Sequence, residues 1–395
     1  MSSKKLHVLI CSSWYPSKWN PIDGTFVREQ ALMLLNAGYK VSVLHPSLNG
    51  SFTDTLSGKF GKISISTEDK ITVFHLGYTI WLPGFRKFHY NQLCRKSYKK
   101  ILKYFQNESK IDIIHSHSTF MGGIVGMHIS KKLNIPLVHT EHASDLVYRP
   151  EIFKKIEVDL LKALFAYSKK IIFVSRYSQE MTQKNFNLNQ SNNMVIPNLV
   201  DSSFFEESPI KRNGTDLKFL MIGWFIPIKG HDMLFKAWEI VHEKQPLWKL
   251  ILVGNGILRD NYKNWAKELG IYDSIIWKNH LNREEIKEEM GNADVIISSS
   301  LSETFGLTIA EALARGKPVV CTDSGGSRDI IDETNGILLT ENTAQEMAKA
   351  ILTVGNKLYN YPSNNLRENA YKKYSENAIS SILNELYQNI SKSSA

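Results

Sequence analysis

Two carboxylates, Glu303 and Glu311, stand eight residues apart in the run Leu301-Ser-Glu-Thr-Phe-Gly-Leu-Thr-Ile-Ala-Glu-Ala-Leu. The run follows Val295–Ser298, a short apolar stretch that reads as a strand. Gly306 lets the turn backbone approach a ligand closely. A helix starting near there aims the N–H groups of Phe305, Gly306, Leu307 and Thr308 outward, an anion site suited to a phosphate. Measured along that helix, Glu303 and Glu311 lie on the order of 12 Å apart. Carboxylates at that separation do not share a proton. They suit the two ends of a long ligand, each accepting hydrogen bonds from hydroxyls. The plainer reading is one acid at a helix N-terminus and one on the surface.

A cation precedes them. Ile222-Gly223-Trp224-Phe-Ile-Pro-Ile-Lys229-Gly230-His231 reads as strand end, loop and helix start, with Lys229 where a phosphate would sit. It is neither G-x-G-x-x-G nor a P-loop, so those two readings fail. As an alternative, Lys229 is a solvated loop lysine. The turns at Gly254-Asn-Gly256 and Asp323-Ser-Gly-Gly-Ser327 can pass backbone close to a ligand or be ordinary turns. In the first half, Trp14-Tyr-Pro16 and Asp23-Gly24-Thr25-Phe26 form a loop between strand and helix. His115 and His117 follow one strand, and His139 and His142 another. These four can ligate zinc, be satisfied structural histidines, or include one that meets a substrate. No carboxylate pattern completes a known metal site. No Asp-x-Asp occurs, which argues against a divalent metal holding a nucleotide sugar. Phe85–Phe105 carries Arg86, Lys87, Arg95, Lys96, Lys99, Lys100 and Lys103 with no acid, interleaved with apolar residues and preceded by Trp81-Leu82-Pro83. A basic amphipathic helix with aromatics reads as a membrane-surface element or as a domain helix with a solvated face.

The elements that must position these residues alternate. Strand-like runs are Leu6–Cys11, Lys40–Leu44, Ile111–Ile114, Pro136–His139, Ile171–Val174 and Met194–Ile196, with a helix at Val27–Asn36. After the polar stretch Ser202–Asp216 the pattern restarts, with strands at Leu217–Ile222, Leu250–Val253, Ile275–Trp277, Val295–Ser298, Pro318–Cys321 and Gly336–Leu339. Helices at His231–Glu243 and Leu258–Leu269 lie between. Alternation of this kind implies α/β architecture with parallel sheets, whose ligands sit at the carboxyl ends of the strands. The chain of 395 residues is long enough for two such domains. Its 43% hydrophobic content excludes disorder as the main state, and no apolar run approaches a membrane span. Three distant cysteines, Cys11, Cys94 and Cys321, indicate neither a disulfide framework nor a metal site, and a reducing, cytoplasmic setting is expected. Of the net +9, residues 1–200 hold 26 Lys/Arg against 13 Asp/Glu, a net of +13. That excess suggests an anionic partner on the first half.

Taken together, these residues resemble the retaining glycosyltransferases of family 4. Glu303 to Glu311, within "SLSETFGLTIAEALARGKPVV", matches that family's E-x7-E motif. "VIPNLVD" (195–201), "IGWFIPIKGHD", "LVGNGILRDNYKNWAKELGI", "ADVIIS" and "TDSGGSRDII" match its second-half signatures in order. "DGTFVREQA", "IIHSHS" and His139-Thr-Glu-His142 are similar to its acceptor-side segments. The resemblance implies the GT-B fold, two Rossmann-like doubly wound domains facing across a cleft. Residues 1–200 and 201–374 would form them, with a final helix, 375–391, crossing back to the first. Ile379, Ile382, Leu383, Leu386 and Ile390 would be that helix's apolar stripe.

Roles follow by position. Glu311 would hold ribose hydroxyls. Glu303 and the N–H groups of Phe305, Gly306 and Leu307 would hold the donor sugar and β-phosphate, and Lys229 would neutralise the diphosphate. Gly24 would let its loop approach the diphosphate, His117 would sit by the transferred sugar, and His280 would lie near the base. Gly223, Trp224 and Gly254 would line the donor site; His142, Thr25 and Arg28 would lie on the acceptor side. One departure matters: Trp224 stands where the family has arginine, and an indole N–H cannot replace a charged fork. Leu199 replaces a linker glycine, which stiffens that segment. The expected reaction moves a sugar from a nucleotide sugar, UDP-linked in preference to GDP-linked, to a glycan or lipid-linked glycan in cell-surface polysaccharide or glycoconjugate synthesis. It would proceed with retention and without metal or other cofactor. An anionic membrane surface, met through Arg86–Lys103 at the inner face of the cell membrane, is an expected partner; nucleic acid is not. The alternatives are a GT-B nucleotide-sugar epimerase and a non-catalytic GT-B binder of polyanions or membranes.

Overall fold

The computed structural model describes residues 6–17, 20, 23–49, 63–80, 85–106, 110–206 and 216–393. Trp81-Leu82-Pro83 and residues 207–215 of the polar stretch lie outside these. The chain divides into two compact units: Met1–Val174, Gln179–Leu199 and Ile379–Ala395 form one, and Ser175–Ser178 with Val200–Ala378 the other. The division therefore falls after Leu199 rather than after residue 200, and the C-terminal return begins at Ile379 rather than 375. Ser175–Ser178 joins the second unit because its polar groups bond there. Ser175 Oγ donates to the Thr304 carbonyl at 2.6 Å, and the Arg176 N–H donates to Asp329.

The first unit is built on an eight-stranded sheet. Its strands are β1 (His7–Ser12), β2 (Lys40–Asn49), β3 (Ile63–Glu68), β4 (Ile71–Thr79), β5 (Ile113–His117), β6 (Leu137–Glu141), β7 (Lys170–Phe173) and β8 (Asn193–Val195). They lie in the order β3-β4-β2-β1-β5-β6-β7-β8. All neighbours are parallel except β3 and β4. Every residue of β1, β5 and β6 is buried, as parallel strands covered on both faces must be. The β3–β4 hairpin is not expected from the alternation. Its turn carries no glycine; Asp69 (φ 50°) and Lys70 (φ 69°) both take the left-handed conformation that a tight hairpin turn requires. β2 runs past the expected Leu44 despite Pro46. Its pairing with β1 ends at Cys11↔Leu44, so the proline removes no donor from that side of the ladder.

The helix Glu376–Ser393 completes this unit. Ile379, Leu383 and Tyr387 are buried in the cluster that contains Val8, Ile10, Val41 and Val43. Ile382 faces out, and Tyr387 takes the central place instead. Its hydroxyl lies 2.5 Å from His115 Nδ1, and Tyr39 donates to Asn384 Oδ1 at 2.6 Å.

The second unit has a six-stranded parallel sheet of β9 (Lys218–Ile222), β10 (Lys249–Val253), β11 (Ile275–Lys278), β12 (Val295–Ser298), β13 (Val319–Cys321) and β14 (Gly336–Leu338). Their order is β11-β10-β9-β12-β13-β14. β9 and β12 are neighbours at the centre, with the order reversing there. That reversal places the loops after β9 and β12 side by side, the usual ligand position of an open α/β sheet. Trp238, fully buried, anchors the core and donates from Nε1 to Ser274 Oγ at 2.9 Å.

Candidate active site

In the second unit Lys229 ends the short 3-10 turn Pro227–Lys229 after β9. Glu303 lies in the extended turn after β12, pinned by its own backbone. Its N–H donates to the Ser324 carbonyl at 2.9 Å, and its carbonyl accepts from the Gly326 N–H at 2.9 Å. Between the two loops Lys229 Nζ reaches Glu303 Oε1 at 2.6 Å. Both side chains keep about a quarter of their surface in solvent. Gly223 lies against the stem of Lys229: a Cβ there would meet its Cδ at 3.6 Å, ordinary contact. Lys229, Glu303, Gly306, Leu307 and Thr308 line a cavity of about 120 Å³. A larger cleft of about 470 Å³ lies between the helices His231–Lys244 and Ala344–Asn356. It holds none of the residues singled out for chemistry.

The helix after Glu303 starts only at Leu307, with Gly306 (φ 100°) as its cap residue. Glu303 thus lies in the turn and Glu311 on the helix, as the start expected near Gly306 implies. Phe305 packs inward against Tyr374, ring centroids 5.8 Å apart. Glu311 is 3% exposed and pairs with Arg283, at the start of the helix Arg283–Asn292. Burial raises its carboxyl above the usual range, and the Arg283 guanidinium opposes that rise. Arg283 also stacks its charge 4.6 Å from the centre of the Phe204 ring. Sequence reading missed Arg283, because a partner 28 residues away leaves no signature in spacing.

Trp224 is 49% exposed and lies nearly parallel to His280, ring centroids 6.3 Å apart at 26°. Gly254, φ 149°, crosses beneath: a Cβ there would fall 2.0 Å from the Gly223 carbonyl oxygen. Only glycine fits that crossing.

The first unit gathers its own polar floor at the ends of β5 and β6. His117 is fully buried, with Nδ1 3.0 Å from His142 Nε2. Among the described residues His117 Nε2 has no hydrogen-bond partner. Burial first, then His115, His142 and His139, holds its pKa well below the usual value, so the ring is neutral. His115 bonds Tyr387 and Thr140, at 2.5 and 2.7 Å, and burial lowers its pKa to about 3. His142, its pKa lowered by burial to about 4, packs against Phe26 at 4.7 Å. Glu141, a second residue missed, accepts from the N–H groups of Thr119, His142 and Ala143. Burial alone would raise its carboxyl; bonds from His139, Thr119 and Ala143 outweigh that and hold it low. Among the described residues, no group of three or more His, Cys, Asp or Glu could hold a metal ion. Gly24 (φ 65°) starts the helix Thr25–Asn36, with Trp14 so close that a Cβ would fall 2.4 Å from its carbonyl. Arg28, on the same helix, pairs with Asp69 of the hairpin turn at 2.5 Å.

Comparison with known proteins matches this architecture. The family model for group 1 glycosyl transferases covers residues 203–373, and that for glycosyltransferase family 4 covers 24–204. An uncharacterized glycosyltransferase of Methanocaldococcus jannaschii is 30% identical over 70% of this chain and 74% of its own. The putative teichuronic acid biosynthesis glycosyltransferase TuaC of Bacillus subtilis is 24% identical over 98% of this chain and 100% of its own. Among solved structures, Anabaena HepE in complex with UDP and glucose superposes with a TM-score of 0.71 at 19% identity, covering 97% of this chain and 100% of that one. The shared fold is GT-B.

The Arg283–Glu311 pair yields a prediction. Arg283→Met leaves a buried carboxylate without its cation. Because the guanidinium is a third exposed, the loss in urea unfolding should fall somewhat below the ~3–5 kcal/mol of a fully buried pair. Adding Glu311→Leu should recover most of it; no recovery would show that the two side chains are not coupled.

Proposed function

From the premise that the chain belongs to the family 4, group 1 glycosyltransferases, we propose that it transfers a sugar from a nucleoside diphosphate sugar to a glycan or lipid-linked glycan, with retention and without a metal. The observation that carries this reading is Lys229 paired with Glu303 beside the N-terminus of the helix Leu307–Ala314. A departing nucleoside diphosphate develops negative charge, and preorganised positive groups stabilise it. Lys229 moves its charge from Glu303 to the diphosphate, and the N–H groups of Leu307 and Thr308 add the helix dipole. Glu303, released, accepts from hydroxyls of the donor sugar. Glu311, whose charged form Arg283 favours against the cost of burial, accepts from the ribose. In the first unit the unpartnered Nε2 of neutral His117 is suited to a sugar hydroxyl, and His142 and Thr25 are assigned to the acceptor. Among the described residues no carboxylate is evidently placed as a nucleophile, which favours attack from the leaving-group face. UDP is the preferred nucleotide, in keeping with the UDP of the HepE complex. A polysaccharide acceptor agrees with the teichuronic acid assignment of TuaC.

The acceptor reaches the enzyme at a membrane. The helix Arg86–Phe105 exposes Lys87, Arg95, Lys96, Lys99 and Lys103, flanked by exposed Phe88 and Leu102. Anionic headgroups attract such cations by about 1 kcal/mol each near the surface. Among the described residues no helix is long and apolar enough to cross a membrane. The attachment proposed is therefore peripheral.

Kinetics test the donor roles. Glu311→Ala should weaken nucleotide binding, since ribose contacts are made equally in ground and transition states. Glu303→Ala should mainly lower kcat, and Lys229→Ala should cost more than either. Unchanged nucleotide affinity in Glu311→Ala contradicts its assignment. For the membrane, phosphatidylglycerol vesicles should float with the protein at low salt and lose it as salt rises. Charge reversal of Arg95, Lys96, Lys99 and Lys100 to Glu should abolish flotation. No binding at low salt removes the membrane from the account and leaves the transfer reaction standing.

A further inference from the structure

An exposed tryptophan is an unsatisfied apolar surface, and Trp224 is the exposed one among the described tryptophans. Its backbone is not free to tuck the ring away. The Gly223 N–H donates to the Val253 carbonyl at 3.0 Å, the Phe225 N–H to Asn255 at 2.9 Å, and the Ile226 N–H closes a tight turn on the Trp224 carbonyl at 2.8 Å. Gly254 fills the space beneath so closely that no Cβ fits. Neighbouring Phe225 is fully buried, so the two consecutive rings point to opposite sides, one into the core and one out. The outward indole meets an equally exposed imidazole, His280, from the loop after β11. The rings are 26° from parallel with centroids 6.3 Å apart, wider than direct face-to-face contact. Three adjacent strand ends, β9, β10 and β11, therefore hold up a pair of flat π faces. Trp224 lies one residue from Gly223, where a Cβ would touch the stem of Lys229.

We infer that Trp224 and His280 form an aromatic shelf for the base of the bound nucleotide, so that this chain grips its donor by stacking at the base as well as by charge at the diphosphate. The inference rests on the nucleotide-sugar reading above and adds where the binding strength lies. A flat heterocycle covers the indole face, removes exposed apolar surface from water and gains stacking on both rings. Lys229 begins paired to Glu303 and must exchange that partner, so the diphosphate end supplies less net attraction than an uncommitted cation would. Stacking tolerates any base, since every base has a π face. The shelf therefore sets affinity for the nucleoside more than discrimination among bases.

Calorimetry with UDP, GDP, uridine and inorganic pyrophosphate, backed by tryptophan fluorescence, tests this. The unsubstituted chain should bind a nucleoside diphosphate and, more weakly, uridine, with quenching of Trp224 emission. Trp224→Ala should weaken both by about ten- to a hundredfold, leaving pyrophosphate binding unchanged, and Trp224→Phe should restore most of the loss. An equal loss for UDP and pyrophosphate would place the indole at the phosphates and overturn the shelf. So would UDP and GDP affinities that Trp224→Ala leaves unchanged. If neither nucleotide binds the unsubstituted chain, the donor reading itself falls and the shelf with it. Binding of free hexoses lost in Trp224→Ala, with nucleotides unaffected, would assign the ring to a sugar and overturn the inference.

Discussion

The contact between Lys229 and Glu303 is the constraint on which the second unit's chemistry depends. It ties the loop after β9 to the loop after β12, at the centre of the sheet where strand order reverses. Backbone bonds set the approach before the side chains meet. Leu301 N–H donates to the Ile228 carbonyl at 2.8 Å, and Ser299 Oγ donates to the Lys229 carbonyl at 2.8 Å. With each partner a quarter exposed, the pair is worth on the order of 1 kcal/mol or less. That magnitude matters. A fully buried pair would resist any ligand; this one holds both groups in position and, on the proposed reading, can yield its cation to a diphosphate.

The opposite balance holds at Glu311. There the carboxylate is buried, its ionisation opposed by desolvation, and Arg283 is a fixed partner rather than an exchangeable one. One carboxylate is thus partly in solvent and loosely held, and the other buried, with Arg283 opposing the cost of its charge. The first unit solves a third problem, packing neutral imidazoles. His115, His117 and His142 are stripped of water and held uncharged, and among the described residues His117 Nε2 is buried without a hydrogen-bond partner.

Much of this was legible in the sequence, for identifiable reasons. Parallel strands buried on both faces read as short apolar runs, so β1, β9, β10 and β12 stand within a residue or two of their expected places. Glu303 and Lys229 stand out because the turns after such strands are where open α/β sheets place ligands, and both lie in such turns. What failed was anything fixed by backbone detail or by distance through space. The glycine-free turn at Asp69-Lys70 carries no hairpin signal. Pro46 ends a strand on paper yet sits where β1 has stopped pairing while β4 pairs on. Periodicity placed Ile382 in the C-terminal stripe and overlooked Tyr387, which is chosen by its bond to His115. Arg283 and Glu141 owe their importance to partners far away in the chain or to backbone donors, and composition registers neither.

The central claim is that Lys229, without a metal, receives the diphosphate. Isothermal titration of UDP into the full chain in EDTA, alongside Lys229→Met, tests it most directly. The account predicts saturable binding in EDTA that added magnesium does not strengthen and that Lys229→Met abolishes or weakens by two orders of magnitude or so, about 2.7 kcal/mol. Binding that appears only with magnesium, or that survives Lys229→Met unchanged, would contradict it.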